Sequence, residues 1–202
     1  DNIGRYMQEG FVRSLREKYP DLDRLNNDFG LDYWSNRIDS WQDFPPVENT
    51  INASLACAFS RYQRQQVTGY LAWQADIVRE YAQPHQFVTH NFDFEWRGYS
   101  YGVQPRVDHF AAAQALDIAG VDIYHPGQKH LTGREIAFGG AITRSLKQGR
   151  NYFVLETQAQ GFAQWTPFPG QLRLQAFSHV ASGAAMVSYW HWHSIHNSFE
   201  TY

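Results

Sequence analysis

Residues 152–157 read Tyr152-Phe153-Val154-Leu155-Glu156-Thr157, an apolar run that ends on a carboxylate. Its length and composition predict a β-strand. On either side the pattern turns helical, over residues 133–146, where the helix contains glycines, and over residues 170–182. The same rhythm continues outward, with strands predicted at 87–92, 118–124 and 185–192 and a further helix at 108–115. Strands that alternate with helices predict βαβ units on a parallel sheet.

The strand ends narrow the class. The first three run into His90-Asn91, Asp122-Tyr124 and Glu156-Thr157, and the last into His191-Trp192-His193. In a (β/α)8 barrel those ends build the active site, each strand contributing a few residues. An open doubly wound sheet also binds ligands there, but usually through a glycine-rich phosphate turn. Neither GxGxxG nor GxxxxGK[ST] occurs in this chain, which favours the barrel. Four strands are visible where a barrel needs eight, and a typical barrel runs to about 250 residues. The expectation is therefore α/β: a partial (β/α)8 TIM barrel, roughly its last four β/α units. Residues 1–202 are expected to form part of a single domain.

Upstream of the sheet, residues 5–18 carry Met7, Phe11, Val12 and Leu15 at amphipathic-helix spacing. Pro20 and Asp21 stop that helix, and residues 22–29 make a short helical turn ending at Gly30. Residues 31–54 are irregular but aromatic, with Tyr33, Trp34, Trp41 and Phe44 before Pro45-Pro46. Such loops usually cover something. A long helix follows to about residue 82, where Pro84 ends it. Leu55, Phe59, Tyr62, Tyr70, Trp73, Ile77 and Tyr81 lie near one of its faces.

Composition removes several classes. Charged residues are 18% and aromatics 16% of the 202, against roughly 25% charged in ordinary soluble domains. Disorder, collagen-like repeats and coiled coil are excluded. A net charge of −3 leaves no polybasic footprint, so no nucleic-acid partner is expected. Cys57 is the only cysteine, which excludes an intrachain disulfide framework and a zinc cluster of several thiolates. No apolar run approaches the roughly 18 residues of a membrane-spanning helix, and no membrane partner is expected. The chain opens Asp1-Asn2-Ile3-Gly4-Arg5, with neither a signal-peptide pattern nor a start methionine.

Four constellations could carry chemistry. Glu156, delivered by an apolar strand, suits the nucleophile of a retaining glycosidase, which faces an acid/base about 5–5.5 Å away. A strand-end Glu paired with an arginine for purely structural reasons is the competing reading. The loop Gly161-Phe162-Ala163-Gln164-Trp165-Thr166-Pro167 offers a Trp face and an amide, as sites for neutral polyols do. The same Trp could instead pack over the barrel rim. In His90-Asn91-Phe92-Asp93-Phe94-Glu95-Trp96, Asp93 and Glu95 are alternative carboxylates, read as loop groups past the strand. Finally, alternation puts His191 and His193 on one face, an HxH spacing open to a metal. Polar contacts to a ligand, with Glu200 reaching a hydroxyl, are the preferred reading there.

Taken in order, several stretches resemble the glycoside hydrolase family 42 β-galactosidases along nearly the whole chain. These are Phe29-Gly30-Leu31-Asp32-Tyr33-Trp34-Ser35 with Trp41, Val88-Thr89-His90-Asn91-Phe92, Asp122-Ile123-Tyr124-His125-Pro126, Leu155-Glu156-Thr157, Trp165-Thr166-Pro167 and Phe199-Glu200-Thr201. The resemblance implies that Glu156 is the nucleophile, at the end of the seventh barrel strand. It implies that Trp165 and Glu200 contact galactose, and that Asn91, Tyr124 and His193 line the pocket. A galactoside substrate, no cofactor, no catalytic metal and a homo-oligomer, often a trimer in the family, are the accompanying expectations, with a cytoplasmic location.

Two departures matter. The family's acid/base is the Glu of an Asn-Glu pair at the end of the fourth strand. Here Asp1-Asn2 is followed by Ile3, and residues 1–18 resemble the helix after that pair, so the acid/base is expected upstream of residue 1. Some members also carry a Cys cluster for structural zinc, which a chain with Cys57 alone lacks. A barrel glycosidase of other sugar specificity and a non-catalytic carbohydrate-binding module are the rival readings.

Overall fold

The computed structural model describes residues 4–94, 106–125, 131–159, 166–191 and 197. The chain divides into two compact units, Asp1–Thr68 and Gly69–Tyr202.

The first unit is helical. It holds α1 (Arg5–Lys18), α2 (Leu22–Phe29) and the start of α3 (Ala53–Tyr81), with a short 3-10 turn at Tyr33–Ser35. The Asp21 side chain caps α2 by accepting from Asp23 N, and Asn52 Oδ1 accepts from Leu55 N at 2.8 Å at the head of α3. The core gathers Phe11, Leu15, Leu25, Leu31, Ile38, Val47, Leu55 and Phe59. The connection from residue 31 to 52 is tied down by buried Asn26, which donates to Ile38 O and accepts from Ile38 N, both at 2.8 Å. Its aromatics divide. Trp41 and Phe44 stack and pack on the core, while Tyr33 and Trp34 stack on each other in the open.

The second unit carries a four-stranded parallel sheet in the order β1-β2-β3-β4. Its elements are β1 (Asn91–Asp93), α4 (His109–Ala113), β2 (Gly120–Asp122), α5 (Arg134–Leu146), β3 (Tyr152–Glu156), α6 (Gln171–Ala181) and β4 (Ala184–Val187). The expected βαβ order is present, with shorter strands. β1 starts at Asn91 rather than 87 because Val88 and Thr89 bond to the Asp117 region, Val88 N to Asp117 Oδ2 and Thr89 Oγ1 to Ile118 O. β4 ends at Val187, yet its pairing with β3 resumes beyond the strand through Ser188 and Trp190. Asp93, expected in a loop, closes β1.

Phe92, Val121 and Val154 share one face of the sheet and are buried. α5 lies close on that face because Gly140 has no side chain. A Cβ there would sit 2.5 Å from Tyr152 Oη. On β2, Gly120 admits no Cβ either, since one would lie 2.7 Å from the His90 carbonyl.

The apolar stripe on α3 is buried only at its start. Leu55 and Phe59 are core residues, but Tyr70, Trp73 and Tyr81 are 58–79% exposed. Past residue 69 the helix turns Leu71 toward the sheet core and buries Ala75, which points the stripe outward. Among the described residues no helix is long and apolar enough to cross a membrane.

Candidate active site

One irregularity in the sheet builds the site. Val121 pairs with Val154, but the next residue, Asp122, pairs with Glu156. Leu155 is therefore an extra residue in β3, a β-bulge. Strict alternation would leave Glu156 on the buried face with Val154. The bulge turns it to the face of Asn91 and Asp122, an effect bulges commonly have beside sites.

Glu156 then meets two neutral donors. Asn91 Nδ2 donates to Oε1 at 3.3 Å, and the Tyr124 hydroxyl donates to Oε2 at 2.9 Å. Asn91 Nδ2 also donates to Asp122 Oδ2 at 2.9 Å, so one amide bridges two carboxyl groups. Among the described residues neither hydrogen-bond partner of Glu156 is an arginine.

Asp122 was not among the residues singled out for the site. Its position two residues before Tyr124, on the same face, was the available signal. Burial pushes its carboxyl up to about 7, and the nearby charges of Glu156 and Asp93 push the same way, against the Asn91 hydrogen bond. Its Oδ1 is buried without a hydrogen bond. At neutral pH Asp122 therefore carries a proton much of the time, which relieves the crowding of carboxylates around Asn91.

Three of the six expected residues, Asn91, Tyr124 and Glu156, are thus brought together. Trp165, Glu200 and His193 lie outside the described residues, as does Glu95. Among the described residues no group of three or more His, Cys, Asp or Glu side chains is placed to hold a metal ion; the HxH pair includes His193 and is outside that description.

A parallel β/α sheet whose β2 and β3 end on Asp122 and Glu156, with Asn91 of β1 and Tyr124 just past β2 gathered beside them, is a portion of a (β/α)8 barrel enzyme fold. The sequence profile of glycoside hydrolase family 42, described as beta-galactosidase, matches residues 2–202, and the chain belongs to that family. The beta-galactosidase of Thermus thermophilus is 32% identical over 208 residues, covering 92% of this chain and 30% of the relative. Beta-galactosidase BgaA of a Thermus species is 31% identical with the same coverage. The chain thus spans about 30% of the length of these relatives. Among solved structures, the polyextremophilic beta-galactosidase of the Antarctic haloarchaeon Halorubrum lacusprofundi superposes with a TM-score of 0.78 at 27% identity, over 96% of this chain and 31% of that one. The beta-galactosidase of the psychrophilic Marinomonas ef1 superposes at 0.79 with 24% identity, over 96% and 32%, a likeness of fold.

Proposed function

We propose that this chain supplies the nucleophile side of a retaining β-galactosidase. Glu156 attacks the anomeric carbon of a terminal β-D-galactosyl residue and forms a galactosyl-enzyme, which water then hydrolyses. The observation that carries the reading is the clamp on Glu156. Both of its oxygens are held by neutral donors, one on β1 and one just past the end of β2, which fixes the direction of attack without burying the carboxylate against a cation. Asn91 and Tyr124 act as positioning groups in the pocket, with Trp165, Glu200 and His193 as contacts to the sugar.

The acid/base that protonates the leaving oxygen belongs, in this reading, to sequence upstream of residue 1, and residues 1–202 form part of one catalytic barrel domain. Family likeness over a chain that spans about 30% of its relatives' length supports reading these residues as part of a larger catalytic domain. A cytoplasmic homo-oligomer acting on galactosides, with no nucleic acid or membrane as partner and no cofactor, completes the reading.

The test is covalent trapping. A 2-fluoro-galactoside with a good leaving group is incubated with the protein expressed from its complete coding sequence, and the labelled peptide is mapped by mass spectrometry. Label on Glu156 is expected. Label on another carboxylate, or none despite turnover, overturns the assignment.

A further inference from the structure

Tyr124 is held by the chain on either side of it. β2 ends at Asp122, yet the residues that follow stay tied to β3 and its continuation. Before Tyr124, Ile123 N donates to the Glu156 carbonyl at 2.9 Å. After it, His125 N donates to Gln158 Oε1 and Gln158 Nε2 donates to His125 O, both at 3.0 Å. We propose that Gln158 is a positioning residue for the reaction: its side chain continues the sheet's pairing past the end of β2 and so holds the Tyr124 hydroxyl on Glu156. The proposal deepens the reading of Glu156 as nucleophile and rests on it.

Gln158 has a rigid base. Its segment is pinned from the β4 side by Thr157 N to Ser188 O at 3.1 Å, Trp190 N to Thr157 O at 2.8 Å and Ala159 N to Trp190 O at 3.2 Å. Gln158 and His125 are each 2% exposed. Water is therefore no ready substitute, and a His125 N or O left unpaired there would be costly. The position also selects the side chain. Meeting the N–H and C=O of one residue together takes an acceptor and a donor side by side, which an amide carries and a carboxylate or thioether does not.

The path from Gln158 to the nucleophile is short. His125 adjoins Tyr124, and the Tyr124 hydroxyl donates to Glu156 Oε2 at 2.9 Å. That hydroxyl sits at the far end of a long side chain, so a small backbone rotation at residue 124 carries it out of reach of the carboxyl group. Misplacement of about 1 Å can cost a reaction roughly 100-fold. Gln158 itself touches neither oxygen of Glu156 through these bonds. Its effect on the reaction must pass through Tyr124.

The experiment is a double-mutant cycle on protein expressed from its complete coding sequence, reading kcat/KM for a chromogenic β-galactoside. Gln158→Met keeps the length of the side chain but makes neither bond to His125. It should lower kcat/KM at least roughly 5-fold, and no more than the roughly 150-fold ceiling set by losing the Tyr124 bond outright. In a Tyr124→Phe background the same substitution should cost less than about 2-fold, because the bond it serves is already gone. Losses that multiply as independent factors mark a merely structural residue and overturn the proposal, as does a smaller loss in the single variant. If Gln158→Met fails to fold, Gln158→Asn runs through the same cycle, its amide one methylene short of spanning both His125 groups. Covalent trapping separates this proposal from the reading beneath it. Label on Glu156 with multiplied losses removes only the role of Gln158, whereas label on another carboxylate removes the nucleophile assignment and this proposal with it.

Discussion

Tyr124 and Glu156 stand 32 residues apart in the chain and are joined by one hydrogen bond of 2.9 Å, phenol to carboxyl Oε2. Asn91 holds the other oxygen from a third chain segment. The carboxyl group is thus oriented by donors that add no charge. That suits a nucleophile, whose reactivity a tight arginine pair would blunt.

Glu156→Gln keeps the shape and one of the two acceptor oxygens while removing the attacking charge. Turnover of a chromogenic β-galactoside by the full-length enzyme should fall by several orders of magnitude. Azide should rescue Glu156→Ala and yield a glycosyl azide of inverted configuration. Near-normal turnover by Glu156→Gln would end the nucleophile assignment.

Tyr124→Phe removes a single donor. A hydrogen bond to a charged group contributes about 1.5–3 kcal/mol, so kcat/KM should drop roughly 10–150-fold if the bond persists in the transition state. Asn91→Ala should cost at least as much, because Asn91 also separates Glu156 from Asp122. Steady-state kinetics on both variants check this, and an unchanged kcat/KM in each would show that the clamp is idle.

Asp122 sets a pH dependence with a definite sign. Its folded value of about 7 lies above the unfolded 3.8, so the folded state binds the extra proton between those limits. The associated stability is complete below about 4 and is lost as pH rises through 7. Asp122→Asn should remove that loss. Urea melts of parent and variant at pH 5 and pH 8 measure it, and a difference between the two proteins that is the same at both pH values would refute it.

His125 and His179 act in the opposite direction. Both are buried and held down at about 4, by burial in each case and for His179 also by His125. Their contribution is complete above about 6.5 and is lost as pH falls toward 4. A His179→Leu variant should therefore lose less stability than the parent between pH 7 and pH 5, read from the same melts. Equal losses would show that His179 takes up no proton on unfolding.

Much of this was legible along the chain. The β/α alternation, the helix boundaries near Pro20 and Pro84, and the acidic ends of β2 and β3 at Asp122 and Glu156 follow from local pattern, whereas Asn91 opens β1 instead of closing it and β4 stops at Val187, before His191. Strand limits were harder, because Val88 and Thr89 look like strand residues but give their bonds to Asp117 and Ile118. The face of Glu156 was the deepest gap. Simple alternation puts it with Tyr152 and Val154, and only pairing with β2 reveals the extra residue. Asp122 went unselected as a site residue because its environment depends on Asn91 and Glu156, far away in sequence. Which part of the α3 stripe is buried is hidden for a similar reason, since hydrophobic periodicity does not say which face Leu71 and Ala75 will claim.

The bulge at Leu155 has a consequence for insertions and deletions. Removing that one apolar residue would place the carboxylate directly after Val154, where plain alternation already turns it to the face of Asn91 and Asp122 and keeps its pairing with Asp122. Swapping Leu155 for another aliphatic residue changes only a contact. The aim of Glu156 is therefore set by its pairing with Asp122 and not by the bulge residue itself, and a single-codon deletion of Leu155 should straighten the strand while leaving the carboxylate on the same face.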